Sequence, residues 1–129
     1  MKLLVATLDG TFAVDLETDE VEAAAPFVPP PQPPLNLPRV IAAAEAGSTV
    51  VALVDAKPPL LVSHDAGTTW RESGRGLPDG RAVAVAAADP DVIVFAARNR
   101  LYLSRDGGVF WNALALELPE VQAVALTAD

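Results

Sequence analysis

Apolar residues recur along this chain in short runs broken by turn residues, the pattern of a protein made of many short strands. Leu3–Leu8 and Thr11–Leu16 flank Asp9-Gly10, a favoured hairpin pair. Further runs fall at Val40–Ala44, Val50–Val54 and Leu60–Ser63, then at Ala82–Ala87, Val92–Ala96 and Leu101–Ser104. Val121–Thr127 is the last. The alanine-rich stretch from Val40 to Ala46 has helical propensity. Its counterpart Ala82-Val83-Ala84-Val85 alternates, and the repeat context favours strands at both places. Val21 to Ala25 completes the set near the N-terminus.

Two of these units end in the same motif. Ser63-His64-Asp65-Ala66-Gly67-Thr68-Thr69-Trp70 reads S-x-D-x-G-x-T-W, and Ser104-Arg105-Asp106-Gly107-Gly108-Val109-Phe110-Trp111 reads S-x-D-x-G-x-x-W, 41 residues later. That period is about one four-stranded propeller blade. The motif resembles the Asp-box, or BNR repeat, of β-propellers such as sialidases and photosystem assembly factors. The resemblance implies an all-β fold of four-stranded antiparallel blades with strands A to D. It places the motif on the hairpin between C and D, at the rim. Ser63, Asp65, Gly67, Thr69, Trp70, Ser104, Asp106, Gly108 and Trp111 are accordingly read as structural. Ser and Asp would hold a tight turn, and Gly would supply its unusual backbone angles.

Set against this repeat, residues 1–25 supply B, C and D of a first blade, with a decayed motif at Val14–Glu20. Residues 39–75 form blade two and 81–117 blade three, while 121–129 is a strand A with nothing after it. The order is BCD–ABCD–ABCD–A, three blades in a single domain. Three blades do not close a ring, since propellers usually have about 4–8. The expectation is therefore a homodimer, a six-bladed ring in which Val121–Thr127 pairs with the partner's Leu3–Leu8. Residues 26–38 contain seven prolines and are expected to be an extended connector. Their PxxP matches, at Pro30–Pro33 and Pro31–Pro34, are loose.

Charge changes the picture in one respect. The net charge is −8, which disfavours nucleic acid and anionic membranes as partners. On the blade scheme, however, the D–A and B–C loops share one face. That face receives Arg39, Lys57, Arg71, Arg75, Arg81, Arg98 and Arg100, seven of the nine basic residues, against seven acids. The opposite face carries eight acids against Arg105. Arg71, Arg75, Arg81, Arg98 and Arg100 are the candidate site for a small carboxylate or phosphate ligand. The bland alternative is a solvated surface of ion pairs.

Catalytic chemistry is harder to find. Sialidases use an arginine triad, a Tyr/Glu pair and an acid, but the single tyrosine, Tyr102, sits on an outer strand and is read as packing. His64, the only histidine, fills a variable motif position, and there is no cysteine, so no transition-metal cluster or cofactor is called for. The acidic turns at Asp15–Glu20 and Asp89–Asp91 do not match a calcium loop. The leading reading is a non-enzymatic binding or scaffolding module with an anionic ligand or a protein partner. The runner-up is a glycosidase-like hydrolase using Glu72 and Asp79 at the propeller mouth, and a third is a half-propeller remnant kept by dimerisation. The apolar start Met1–Val5 is broken at Asp9-Gly10, too early for a signal peptide, and a cytoplasmic location is expected.

Overall fold

The computed structural model describes residues 1–127. Twelve strands occur among them, in chain order β1 (Lys2–Thr7), β2 (Gly10–Asp15), β3 (Val21–Ala24), β4 (Val40–Ala46), β5 (Thr49–Val54) and β6 (Leu60–Ser63). They continue with β7 (Arg71–Ser73), β8 (Ala82–Val85), β9 (Ile93–Ala96), β10 (Leu101–Ser104), β11 (Asn112–Ala113) and β12 (Val121–Leu126). They form three antiparallel four-stranded sheets, ordered β12-β1-β2-β3, β4-β5-β6-β7 and β8-β9-β10-β11, the blade-like arrangement expected from the repeat. The alanine-rich segment is strand, as expected: Ala42 to Ala46 pair with Leu53 to Thr49. Cross-strand pairing and burial of one face outweigh alanine's helical preference.

The expected closing strand does pair with β1, here of its own chain: Leu3 lies opposite Leu126 and Val5 opposite Val124. The seven residues after β11 are long enough to bring the chain back beside β1. The turn is pinned where Val121 N–H donates to the Arg98 carbonyl (2.7 Å) and Leu8 N–H to that of Glu120 (3.0 Å). Blade one is therefore completed within one molecule. Leu8, expected at the end of the first strand, lies in the turn and is exposed.

Two apolar cores hold the sheets side by side. In one, Leu3, Val5, Val14, Val121 and Val124 of blade one pack against Val92, Val94, Leu101 and Leu103 of blade three. In the other, Val51, Leu53, Leu60 and Val62 of blade two pack against Val83, Ile93 and Phe95 of blade three. Blade three is thus the middle of the molecule, and its innermost strand β8 neighbours both β4 and β12. Val50, Ala52 and Val54, which alternate with the Val51 and Leu53 core positions along β5, are buried as well. The proline-rich connector runs from β3 to β4, and its Phe27, Pro33, Leu35 and Leu37 are half-buried.

Candidate functional site

The two Ser-x-Asp-x-Gly turns lie at one end of the sheets and are held by their own side chains. In the first, Ser63 Oγ donates to Asp65 Oδ1 (2.7 Å) and accepts from Gly67 N–H (2.8 Å). Asp65 accepts from the backbone N–H (2.8 Å) and hydroxyl (2.6 Å) of Thr69. The second repeats this: Ser104 Oγ donates to Asp106 (2.8 Å) and accepts from Gly108 N–H (2.9 Å), and Asp106 accepts from Phe110 N–H (3.0 Å). Gly108 has φ +92°, in the left-handed region where a side chain is strained. Blade one keeps a remnant of the motif in Asp15, which accepts from the N–H groups of Glu17 (2.9 Å) and Thr18 (3.2 Å).

The second turn also joins blades, through a residue that motif reading passed over. Ser73 Oγ, buried on β7, donates to the Gly108 carbonyl and accepts from Trp111 Nε1 (3.1 Å). Arg71 Nη2 reaches the Gly107 carbonyl (3.4 Å). Arg71 is therefore at the end that carries the two Ser-x-Asp-x-Gly turns, lining a shallow cavity of about 330 Å³ with His64, Asp65, Thr69 and Trp70. Its expected place on the opposite face is corrected: strand D begins directly after Trp70, and Arg71 pairs with Val62. His64 Nδ1 lies 3.3 Å from the Thr49 hydroxyl. Tyr102 packs edge-on against Phe95 with ring centres 5.8 Å apart.

The hydrogen bonds to Asp65, led by those from Thr69, lower its carboxyl from the ordinary value of 3.8 to about 2. A lowered folded pKa means that the ionised form stabilises the fold above the unfolded value, and that this contribution is lost as pH falls through the folded value. The melting temperature of the native chain should exceed that of Asp65→Ala at pH 6. The gap should narrow as pH falls from about 4 to about 2, and a gap independent of pH would contradict the assignment.

At the other end, two of the five candidate arginines meet on one carboxylate and a third has a carboxylate of its own. Arg98 Nε donates to Glu120 Oε1 (2.9 Å), and Arg81 Nη1 lies 3.4 Å from Glu120 Oε2. Arg100 Nη2 donates to Glu117 Oε1 (2.9 Å). Arg98, and then Arg81, hold the Glu120 carboxyl below the usual range. Arg75 stays apart, exposed on the loop between β7 and β8 between two glycines with positive φ. Lys57 pairs with Asp79 (2.8 Å), which lowers the Asp79 carboxyl.

Between the inner strands lies a cavity of about 450 Å³. Ile41–Glu45 of β4, Arg81 with Ala82–Val85 of β8, Gln122–Leu126 of β12 and the connector residues Pro29–Gln32 line it. Arg81 is the arginine that belongs both to the ion-pair cluster and to this cavity. Among the described residues, no group of three or more His, Cys, Asp or Glu side chains is placed to hold a metal, and no helix is long and apolar enough to cross a membrane.

No family model matches this chain, and no curated protein matches it. Among solved structures, the GH74 enzyme of Niastella koreensis is similar, at 22% identity and a TM-score of 0.49. The match covers 91% of this chain and 18% of that one, so the chain spans under a fifth of the enzyme's length.

Proposed function

We propose that the chain is a non-enzymatic binding module whose arginine-bearing end takes a small anion through Arg81, Arg98 and Arg100. The observation that carries this is the pairing at this end: Glu120 lies between Arg81 and Arg98, and Arg100 pairs with Glu117 beside them in the chain. The cluster has one positive charge over, and a ligand carboxylate or phosphate would balance it with charge-assisted hydrogen bonds.

A hydrolase needs a carboxyl that keeps its proton near neutral pH. The acids of this end point the other way. Asp79 is held ionised by Lys57 and Glu120 by two arginines. Glu72 lies in mid-strand opposite Leu61. Neither Asp79 nor Glu120 therefore suits the role of proton donor. The acidic, cysteine-free composition supports a cytoplasmic setting.

A six-bladed ring of two copies is the competing assembly. It would require β12 to leave its own β1 and make the same register pairs with a second chain, an exchange of identical elements.

Titration of the labelled protein with inorganic phosphate, sulfate and acetate, followed by amide shifts, tests the site. Shifts should centre on Arg81, Arg98 and Arg100 and weaken with added salt. Shifts confined to the Asp-box turns at 63–70 and 104–111, or none at all, would reject it.

A further inference from the structure

The cavity behind the arginine cluster has a chemistry of its own, and the direction of its charge selects a ligand. Five residues of β4, five of β12 and the four of β8 with Arg81 before them run along it, a length of roughly 13 Å at about 3.3 Å per residue. Its volume lies within the range of about 300–1,000 Å³ typical of small-molecule sites. Small apolar side chains, among them Ala44, Val83, Ala123 and Ala125, stand along the walls between polar groups, and the proline rings of the connector line one side without adding N–H donors. Charge sits at the two ends. Arg81 opens β8 at the arginine-bearing end, where its N–H bonds the Ala96 carbonyl. Glu45 lies at the far end, next to last in β4 and opposite Val50, before the β4–β5 hairpin whose Ser48 carbonyl accepts from Ala66 N–H.

We infer that this cavity binds an amphipathic monocarboxylate of medium chain length, its apolar chain lying along β4, β8 and β12 and its carboxylate on Arg81. The inference rests on the anion-binding reading for its headgroup and adds the apolar half of the ligand. A neutral apolar molecule would leave the Arg81 end unused. A dicarboxylate would bring its second charge toward Glu45. Arg81 is also the guanidinium freest to change partner. Its 3.4 Å contact with Glu120 is the longer of that carboxylate's two, and Arg98 at 2.9 Å keeps Glu120 paired when Arg81 turns to a ligand.

The test uses the full chain with sodium octanoate below its micellar range, 1-octanol, acetate and inorganic phosphate, read by amide shifts and calorimetry. Octanoate should bind at least ~tenfold more tightly than acetate, through burial of its chain. Its shifts should run along β4, β8 and β12. Arg81→Gln should weaken octanoate ~tenfold and leave octanol unchanged. Ala125→Leu and, separately, Ala123→Leu should fill the cavity and abolish octanoate binding while phosphate shifts at Arg98 and Arg100 persist. Those phosphate shifts also show that each variant is folded. If phosphate binds and octanoate is no better than acetate, the cavity assignment falls and the anion site stands. If neither binds, the anion reading falls and takes the headgroup assignment with it. Octanoate binding that survives both leucine variants places the chain elsewhere and overturns the inference. Equal octanoate and octanol affinities, indifferent to Arg81→Gln, overturn the choice of a carboxylate.

Discussion

A chain ending at Glu120 is expected to lose its fold, not to relax into a smaller stable domain. β12 supplies the inner edge of blade one, with Leu3, Leu4, Val5, Ala6 and Thr7 all paired to it. Val121 and Val124 belong to the core shared by blades one and three, and Val121 is fully buried. Removing them strips the β1 edge of its hydrogen bonds and opens the core that attaches blade one. Each large apolar side chain taken from a core costs about 2–5 kcal/mol, and a domain has only about 5–15 kcal/mol in all. Circular dichroism should show loss of the cooperative melt, and a truncated chain that melts cooperatively near the native temperature would contradict this. The same strand decides the assembly. Closure within one chain makes the full-length melting temperature independent of protein concentration, whereas exchange between chains ties folding to association. The structure leads to the first outcome over about a hundredfold range of concentration. A melting temperature that climbs with concentration, with a dimer mass in light scattering, would establish the exchanged ring instead.

Much of the fold is legible in the sequence because sheet physics is local. Alternation marks which positions face a core, so Leu60–Ser63 and Leu101–Ser104 were expected at the bounds observed and the other expected strands lie within a few residues, while the short outer strands β7 and β11 had no alternation to mark them. What the pattern does not carry is the identity of a strand's partner. Val121–Leu126 reads as an inner strand whether it pairs at home or abroad, since the alternation that fits it to β1 is identical in both cases. The one signal that bears on the choice is connector length. The links from β7 to β8 and from β11 to β12 take eight and seven residues, and that from β3 to β4 takes fifteen. The longer link joins blade one to blade two even though the described cores place blade three next to each of them.

The candidate site was legible in part, for a different reason. Arg81, Arg98 and Arg100 were grouped by assigning loops to faces; Arg81 and Arg98 meet at Glu120, because their loops flank an inner and a middle strand at one end, while Arg100 pairs separately with Glu117. Arg71 was placed in the loop after strand D, whereas that strand is only three residues long and starts at Arg71 itself, next to Trp70. Ser73 carried no sequence signal, as a lone serine on a short outer strand is unremarkable until the next blade's Gly108 carbonyl is placed against it.

Phe95→Ala should be among the most destabilising single substitutions in this chain, at about 3–5 kcal/mol. Phe95 is fully buried in the middle of β9 and is the largest of the wholly enclosed side chains. Its ring meets Tyr102 and Trp111 edge-on, with centres 5.8 and 6.3 Å away, and packs in the core joining blades two and three. Space for the ring depends on the backbone opposite. A Cβ on Gly80 would stand 2.6 Å from both Phe95 Cε2 and Leu53 Cδ1, so the loop passes there only because residue 80 has no side chain. The two sites therefore bracket one packing problem. Phe95→Ala leaves a cavity, while Gly80→Ala drives a methyl group into an occupied one, at a cost of about 1–3 kcal/mol. Combined, the added methyl occupies part of the space that the ring vacates, and the double variant should lose less than the sum of the two single losses. Urea denaturation of the four proteins measures this coupling. Strictly additive losses would mean that Phe95 and residue 80 do not share the packing that holds blade two on blade three.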